Sequence, residues 1–355
     1  MKKFAYIAIW GIIVFLCAAC NRHGSENSID DETVWVNLDI NVSLSDLSAP
    51  DTRAGYEQAA NGDELMHTLR ILVVRPDNTV EENRFVSFSS YLIHYGYERF
   101  KVAANEKKQI YLFVNEKTAV MTGSASGATR IVNLATWLSN IRKGEKFPVE
   151  DLTDLTICLD GNSKQISRPL PMSECHEVEV NDVDSQADLF ITRAAVKFSF
   201  YITNQSDRNK TLTGLSIDHM AGQGYYLPNH VEYIDKTEDG VTYKEIKSYE
   251  VPSEPKYYTY EMGRSDISLP KNKQVPLAPI YLLEGKYVDD AAGGKNYAVH
   301  IGIDGVNLSG VLDQLPQLPR NTHVKVYITI KNTTINCEVD IRPYTEVILD
   351  PDFGL

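Results

Sequence analysis

The first strongly patterned stretch of the chain runs from Val34 to Leu44, where apolar and polar residues alternate. A period of two is typical of a strand with one face in a core and the other in solvent. At about 3.3 Å per residue, the stretch spans roughly 36 Å, which is enough to cross a whole sandwich domain. The side chains predicted to face the core are Val34, Val36, Leu38, Ile40, Val42 and Leu44.

Short apolar runs bounded by turn residues predict further strands along the rest of the chain. In the first half these runs are 69–75, 109–114 and 155–159, with looser alternation over 84–100. In the second half they are 189–202, 212–217, 297–303, 322–330 and 335–341. The last two runs are close enough to form a hairpin. The run 275–283 contains two prolines and is therefore an edge strand at most.

One segment has helical periodicity instead. Apolar residues recur at spacings of three and four between Thr129 and Lys143, Thr129 suits the N-cap, and basic residues suit the C-terminal end. The sequence therefore predicts one clear helix over 129–143. The tyrosine-rich region 222–262 predicts a long loop with irregular strands.

An acidic, polar stretch over 177–184 predicts a linker between two domains. The chain has 355 residues, which suits two domains, here 54–187 and 188–355. The tail 344–355 follows the last hairpin and alternates again, with Thr345, Val347 and Leu349 on one face. A domain already closed by that hairpin has no obvious place for this tail.

The N-terminus predicts export. Lys2 and Lys3 precede an apolar run over 7–16 and the sequence Cys-Ala-Ala-Cys, which ends at Cys20. A basic start, a short apolar region and small residues before the cleavage site are typical of a signal peptide. The cysteine after the small pair resembles a bacterial lipobox, so residues 1–19 are predicted to be removed and Cys20 lipidated. A plain signal peptide with an incidental cysteine is the alternative.

The polar loop between the first strand and the rest of the chain predicts a protease-accessible site. Residues 46–54 contain Pro50 and end at Arg53-Ala54. Such segments are exposed and are preferred sites of nicking. Arg53 as an ordinary loop residue is the alternative interpretation.

Charge and residue spacing point away from several functions. With 48 acidic and 35 basic residues, the formal net charge of −13 argues against a nucleic-acid partner. The histidines show no zinc-ligand spacing, and Asp182 and Asp184 are predicted to be solvated, so no metal or cofactor is expected. Gly123 to Gly127 places Ala125 where a nucleophilic serine would stand. An exported hydrolase is therefore not supported by these residues.

Three cysteines follow Cys20, namely Cys158, Cys175 and Cys337, and an odd number cannot be fully paired. A bridge between Cys158 and Cys175 remains open at this point, because spacing alone does not fix the Cβ geometry.

Several short motifs occur in succession along nearly the whole chain. They are the lipobox, the first strand followed by Thr52-Arg53-Ala54, Leu170–Ser173, Thr192–Val196, Leu318–Val324 and Asp340–Tyr344. In this order they resemble the fimbrillin family of Bacteroidetes, the subunits of type V pili. The chain departs from the family where Tyr344 replaces a more usual Trp and Glu174 a more usual Gly.

The resemblance implies a mostly β fold with two tandem transthyretin-like Greek-key β-sandwich domains and one short helix in the first. It also implies a structural role in a cell-surface fimbrium that supports adhesion. In that role, a lipidated precursor at the outer membrane is cut by an Arg-specific protease, here between Arg53 and Ala54. The leader 20–53 then leaves with its strand, and a strand from another subunit fills the groove. Thr345, Val347 and Leu349 are the candidate donor residues.

Two other functions stay open on the sequence. One is an uncleaved subunit that anchors a pilus through its lipid. The other is a lipid-anchored surface protein that binds glycans, for which region 222–262 would have to supply an exposed aromatic platform. An adhesion ligand on a host or bacterial surface is a possible further partner of a fimbrial subunit.

Overall fold

The computed structural model describes most of the chain from residue 33 onward. The described residues are 33–45, 62–88, 95–118, 122–124, 133–159, 164–238, 241–263, 265–286, 297–312, 317–332 and 335–343. Cys20, Arg53, Ala54 and the tail 344–355 lie outside these residues, so lipidation, processing and strand donation stay predictions.

Within the described residues, the first half of the chain contains nine strands and two short α-helices. The strands are β1 Trp35–Leu44, β2 Thr68–Val74, β3 Val80–Ser87, β4 Tyr95–Ala103, β5 Glu106–Val114, β6 Thr122–Ser124, β7 Leu155–Cys158, β8 Met172–Val180 and β9 Ser185–Arg193. The helices are α1 Leu134–Asn140 and α2 Val149–Thr153, and a 3-10 turn spans Gly62–Glu64.

Seven of these strands form one strongly folded sheet in the order β3-β2-β5-β8-β9-β1-β4. Only two residue pairs join β8 to β9, at Met172–Arg193 and Ser173–Thr192, so the sheet folds over at this point. Its two halves, β3-β2-β5-β8 and β9-β1-β4, face each other across a core of aliphatic side chains and Phe100. The first half of the chain is therefore a β-sandwich.

A second core covers the outer face of β2 and β5. Leu72, Tyr111 and Phe113 point into it, opposite Leu138 of α1 and Leu152 of α2. Because both faces of β2 are covered, this strand is a nearly continuous apolar run and not an alternating one.

The described part of the second half contains fifteen strands. They are β10 Val196–Asn204, β11 Lys210–Met220, β12 Gln223–Tyr225, β13 Glu232–Glu238, β14 Val241–Ser248, β15 Tyr258–Met262, β16 Ile267–Leu269, β17 Gln274–Pro276, β18 Ile280–Leu282, β19 Gly285–Lys286, β20 Ala298–Ile303, β21 Val306–Val311, β22 Gln317–Leu318, β23 Thr322–Ile330 and β24 Ile335–Pro343.

These strands build a second sandwich. One sheet has β10 and β23 at its centre, with β24, β17 and β18 beside them, and the other has the order β15-β11-β20-β21, with β16 also paired to β11. Alternate residues of β10, Val196, Phe198, Phe200 and Ile202, enter the core between the sheets. The mostly β fold with sandwich units, and with one helix of seven residues in the first half, is confirmed.

Three predictions about elements are corrected. The helix α1 is shorter than the predicted 129–143 and is capped by the side chain of Asn133, which accepts from the N–H of Thr136 at 2.9 Å. The stretch 177–184 is not a linker, because it contains the end of β8 and the turn into β9. The predicted domain boundary between 187 and 188 therefore falls inside β9. The chain passes from the first sandwich to the second between Arg193, the last residue of β9, and Val196, the first residue of β10.

The region 222–262 is more regular than predicted. It contains β12, β15 and the hairpin of β13 and β14, which pairs seven residues of each strand. Cys158 and Cys175 are free thiols, so the open question of a bridge between them is answered. Within the described ranges, none of the helices has the length and apolar character needed to cross a membrane.

Candidate functional site: the groove around the first strand

Strand β1 lies inside the first sandwich and not at an edge. It pairs with β4 in the antiparallel sense from Trp35 to Ser43 and with β9 in the parallel sense from Leu38 to Leu44. Both sides of its backbone are therefore used in ladders. Removing β1 would expose the strand edges of both neighbours, which is the kind of surface that accepts another strand.

The apolar face of β1 fills the centre of the core. Leu38, Ile40, Val42 and Leu44 have no exposed surface, and Val36 is 5% exposed. Val34 was predicted to belong to this face, but it precedes the strand and is 48% exposed. The buried face therefore has five apolar side chains and not six.

On the outer face, Asp39 is held from β4. Nε and Nη2 of Arg99 donate to the two carboxylate oxygens of Asp39 at 2.6 and 2.7 Å, and the hydroxyl of Tyr97 donates to it at 2.9 Å. The hydrogen bond from Arg99 lowers the pKa of Asp39 below its usual value. This contact is the forked geometry that a guanidinium makes with a carboxylate.

The same outer face is held from the β9 side by two other acids. The Asn37 amide donates to Asp184 at 2.8 Å, as does the Asn37 backbone N–H. The Asn41 amide donates to Asp188 at 2.6 Å and accepts from the hydroxyl of Tyr95. Asp184, predicted to be merely solvated, is thus part of the contact with β1, and the bond from Asn37 lowers its pKa.

The C-terminal end of β1 is tied to both sandwiches at Ser45. The backbone N–H of Ser45 donates to the carbonyl of Ile191 in β9 at 3.0 Å. The backbone carbonyl of Ser45 accepts from the N–H of Lys244 in β14 at 3.3 Å. The Ser45 hydroxyl accepts from the Asn321 amide at 2.7 Å. The strand therefore ends in contacts from both halves of the chain, directly before the segment that carries Arg53.

A buried polar junction surrounds this end of β1. Arg193 is 1% exposed and donates to the side chain of Asn321 at 3.1 Å and to the carbonyl of Glu64 at 3.0 Å. The Glu64 carboxylate accepts from the hydroxyl of Tyr281 at 2.6 Å and pairs with Lys197 at 2.9 Å. Two of the motifs that carry the resemblance, 192–196 and 318–324, meet here because β10 and β23 pair in parallel.

Arg320 forms the second part of the junction. Its guanidinium pairs with Glu284, with Nε at 3.1 Å, and Nη1 donates to the carbonyl of Tyr226 at 2.9 Å. Both members of this pair are almost completely buried. The guanidinium is thus paired and hydrogen-bonded, as a charge buried in a protein interior requires.

Glu174, which stands where the resembled family more often has glycine, is also buried at this junction. It accepts from the hydroxyls of Tyr233 at 2.7 Å and Thr192 at 3.0 Å. Burial raises the pKa of Glu174 to about 7, although these hydrogen bonds and Arg320 act in the opposite direction. Tyr233 belongs to the hairpin of β13 and β14, so Glu174 holds this hairpin against β8 and β9.

Replacing Glu174 by glutamine is expected to remove a pH dependence of stability. The folded protein holds the pKa of this carboxyl near 7, against a usual value of 4.5. The folded state therefore binds more protons between these values, and the free energy of unfolding falls as the pH rises from 4.5 to 7 and then levels off. At about 1.4 kcal/mol per pKa unit, the fall is on the order of 3 kcal/mol.

Urea unfolding of the wild type and of Glu174→Gln between pH 5 and pH 8 measures this difference. Glu177→Gln is the matched control, because Glu177 lies on the same strand with its side chain 57% exposed. A difference between wild type and Glu174→Gln that stays constant over this pH range would contradict the expectation.

The tyrosine-rich region does not supply an aromatic platform. None of the eight tyrosines between 222 and 262 is exposed, and four of their hydroxyls make structural bonds. Tyr249, Tyr257 and Tyr258 donate to the carbonyls of Gly285, Lys286 and Lys164, and Tyr233 donates to Glu174. These tyrosines pack within and between the two sandwiches, since Tyr226 lies in the core beside α1 and α2 and Tyr260 in the core of the second sandwich.

One constellation of catalytic residue types escaped the sequence analysis. His300 bridges the Ser309 hydroxyl and the Asp218 carboxylate, each at 2.6 Å. These residues lie side by side on β11, β20 and β21, and the backbone of β20 is committed to ladders on both sides. Acyl transfer also needs free backbone donors aimed at the reacting oxygen. The arrangement therefore fits a cross-strand polar cluster on a sheet face. Among the described residues no group of three potential metal ligands occurs.

No protein-family model matches the chain, and no curated protein sequence matches it. Solved structures do match, and they define the class of fold, namely that of fimbrial and cell-adhesion proteins of Bacteroidetes. A cell adhesion protein from Parabacteroides distasonis has a TM-score of 0.55 at 12% identity, over 88% of this chain and 98% of that one.

Two further solved structures are similar to this chain over most of its length. The tip fimbrial protein Mfa3 from Porphyromonas gingivalis, with a C-terminal truncation, has a TM-score of 0.55 at 12% identity, over 87% of this chain and 99% of that one. A cell adhesion protein from Bacteroides eggerthii has a TM-score of 0.50 at 12% identity, over 88% and 96%. The chain therefore has the fold that the resemblance implied, and at this identity the likeness concerns the fold.

Proposed function

We propose that the protein is a structural subunit of a cell-surface fimbrium that polymerises by strand exchange and supports adhesion. The observation that carries this proposal is the position of β1. It fills the centre of the first sandwich, yet its only covalent connection to the rest of that sandwich is the segment 46–61, which contains Arg53. One cut in that segment leaves β1 attached by burial and hydrogen bonds alone.

The proposed sequence of events begins with export and lipidation at Cys20, which holds the precursor at the outer membrane. An Arg-specific protease then cuts between Arg53 and Ala54, and the leader 20–53 departs with β1. The vacated groove accepts a strand from another pilus subunit, and the tail with Thr345, Val347 and Leu349 is the candidate donor to the next subunit. No step requires a catalytic residue, a metal or a cofactor of this chain.

The physical basis is that an empty groove is unfavourable. It would expose the aliphatic core of the first sandwich and the ladder edges of β4 and β9. Unpaired strand edges beside an apolar groove favour the addition of another strand. Polymerisation follows if the incoming strand comes from another subunit.

Cleavage of the unlipidated precursor, residues 21–355, by an Arg-specific protease is expected to yield ordered polymers in electron micrographs. Arg53→Ala is expected to leave the precursor uncut at this bond and monomeric. Truncation after Pro343 is expected to permit cleavage but to reduce polymer formation, because the candidate donor strand is missing.

The matched control is Arg208→Ala, since Arg208 is also an accessible arginine and is not followed by proline, with its side chain 71% exposed. It is expected to behave like the wild type. A resistant Arg53 bond in the wild type would favour the uncleaved anchor subunit instead. Cleaved protein that stays monomeric with its leader bound would contradict strand exchange.

A further inference from the structure

The apolar face of β1 gives affinity but defines register weakly. Its five buried side chains, Val36, Leu38, Ile40, Val42 and Leu44, are all aliphatic. A slip by two residues leaves an aliphatic side chain in at least four of the five positions, because the side-chain period of a strand is two. Another property of the groove must therefore distinguish one incoming strand, or one register, from another.

The outer rim of the groove has that property, because its two sides differ in chemistry. The β4 side presents the Arg99 guanidinium and the hydroxyls of Tyr95 and Tyr97. The β9 side presents the carboxylates of Asp184 and Asp188. The rim is therefore cationic at one position and anionic at two others.

Each rim group demands a particular partner. Arg99 has only donors to offer and matches a carboxylate through its fork, as it does at Asp39. The side-chain oxygens of Asp184 and Asp188 accept hydrogen bonds, so they match amide or hydroxyl donors, which β1 supplies at Asn37 and Asn41. A carboxylate at either of those two positions would face a like charge.

We propose that this rim selects the strand that enters the groove, through a pattern of donor, carboxylate and donor at the positions of Asn37, Asp39 and Asn41. The inference rests on the proposed strand exchange. The fitting partner is a strand with an amide or hydroxyl donor at the two outer positions and an acid at the central one. The core side chains then supply the affinity, and the rim supplies register and partner choice.

The tail of this chain satisfies the pattern only in part. With Glu346 at the position of Asp39, Ile348 stands at one of the two donor positions. With Asp350 there instead, the donor positions receive Ile348 and Asp352. Both statements hold for either direction of the strand, because the donor positions lie symmetrically about the central one. The tail of a second copy can therefore enter the groove through its apolar side chains when no competitor is present, but a strand with the full pattern is expected to bind more tightly.

The test uses residues 21–355 with the recognition site of an unrelated protease placed in segment 46–52, so that the nick does not depend on Arg53. The nicked protein is unfolded in urea and refolded in the presence of two synthetic peptides of residues 33–45, one wild type and one variant. The two peptides are at equal concentration, and each is in excess over the protein. The wild-type peptide carries a heavy-isotope label, so that native mass spectrometry separates the two complexes and gives the ratio of the two bound peptides.

The wild-type peptide is expected to be favoured over Asp39→Asn and over Asn41→Asp by about three- to five-fold each, as for exposed ion pairs with good geometry. The first preference is expected to vanish in the Arg99→Gln protein and the second in the Asp188→Asn protein. A Trp35→Gln peptide is the control and is expected to compete within two-fold, since Trp35 is 47% exposed and outside the pattern.

Two results would overturn the inference, and they differ. Equal binding of the wild-type and Asp39→Asn peptides, or a preference that persists in Arg99→Gln, would show that the groove accepts strands without selection while strand exchange itself holds. No uptake of any peptide would overturn strand exchange together with selection. Thermal unfolding of each rim variant shows whether its fold is intact, and Arg99→Lys, which keeps the charge without the fork, provides a second variant.

Discussion

Replacing Ile40 by aspartate is expected to prevent the first sandwich from closing. Ile40 has no exposed surface and lies at the middle of β1, between Glu98 of β4 and Ala187 of β9. An unpaired carboxylate there has no donor in an aliphatic core, and burying such a charge costs several kcal/mol. Urea unfolding of the purified precursor measures the effect, and we expect loss of the cooperative transition or of soluble protein.

Trp35→Asp is the matched control, because it places the same group on the exposed face of the same strand. It is expected to unfold close to the wild type. The milder change Ile40→Ala is expected to cost about 2 to 5 kcal/mol, as for other large-to-small substitutions in a core. Wild-type stability of Ile40→Asp would mean that β1 is not part of the closed sandwich.

The same burial determines what a nicked precursor does. Five buried aliphatic side chains at about 1.5 to 3 kcal/mol each amount to roughly 7 to 15 kcal/mol, before the ordering of the peptide is counted. This is comparable to the whole stability of a typical domain. A leader separated by proteolysis is therefore expected to remain bound until another strand displaces it.

After Ile40→Asp, replacing Glu284 by alanine is expected to cause the largest loss of stability. It leaves the guanidinium of Arg320 buried without its carboxylate, and breaking a buried pair in this way costs about 3 to 5 kcal/mol. Burial by itself would lower the pKa of Arg320, and Glu284 more than compensates, so the pKa is raised above its usual value. The midpoint of urea unfolding at neutral pH measures the loss.

Glu232→Ala is the matched control for Glu284→Ala. Glu232 pairs with Lys247 on the surface, where both side chains are more than half exposed, and its removal is expected to leave the midpoint nearly unchanged. The double variant Glu284→Leu, Arg320→Met is expected to regain part of the lost stability, because no charge stays buried. Equal losses in Glu232→Ala and Glu284→Ala would contradict the importance of the junction.

Much of the strand content is predictable from local pattern. The predicted hairpin strands 322–330 and 335–341 correspond to β23 and β24, and the first agrees at both ends. The alternation over 34–44 appears in β1 as buried and partly exposed residues in turn. Strands β1 and β23 each have one face in a core, so the physical cause of their pattern is present in the sequence itself.

The errors lie where burial depends on distant segments. The acidic stretch 177–184 resembles a linker, but Asp184 binds Asn37, which is 147 positions away. The region 222–262 resembles a long loop, but it contains regular strands, and the hydroxyls of Tyr249 and Tyr258 donate to distant backbone carbonyls. The predicted helix over 129–143 was too long, because local periodicity does not show that Asn133 caps the helix.

The sequence by itself determined the strand character of β1 and which of its residues face inward. The reason is that the two-residue period is a property of the backbone and needs no partner. Only the tertiary structure decided that β1 lies between β4 and β9, that Arg99 and Asp188 flank its polar face, and that Asn321 binds Ser45 at its end. These partners lie some 60 to 276 positions away in the chain. Pairing across such distances is decided by the closure of a shared core, and no local pattern records it.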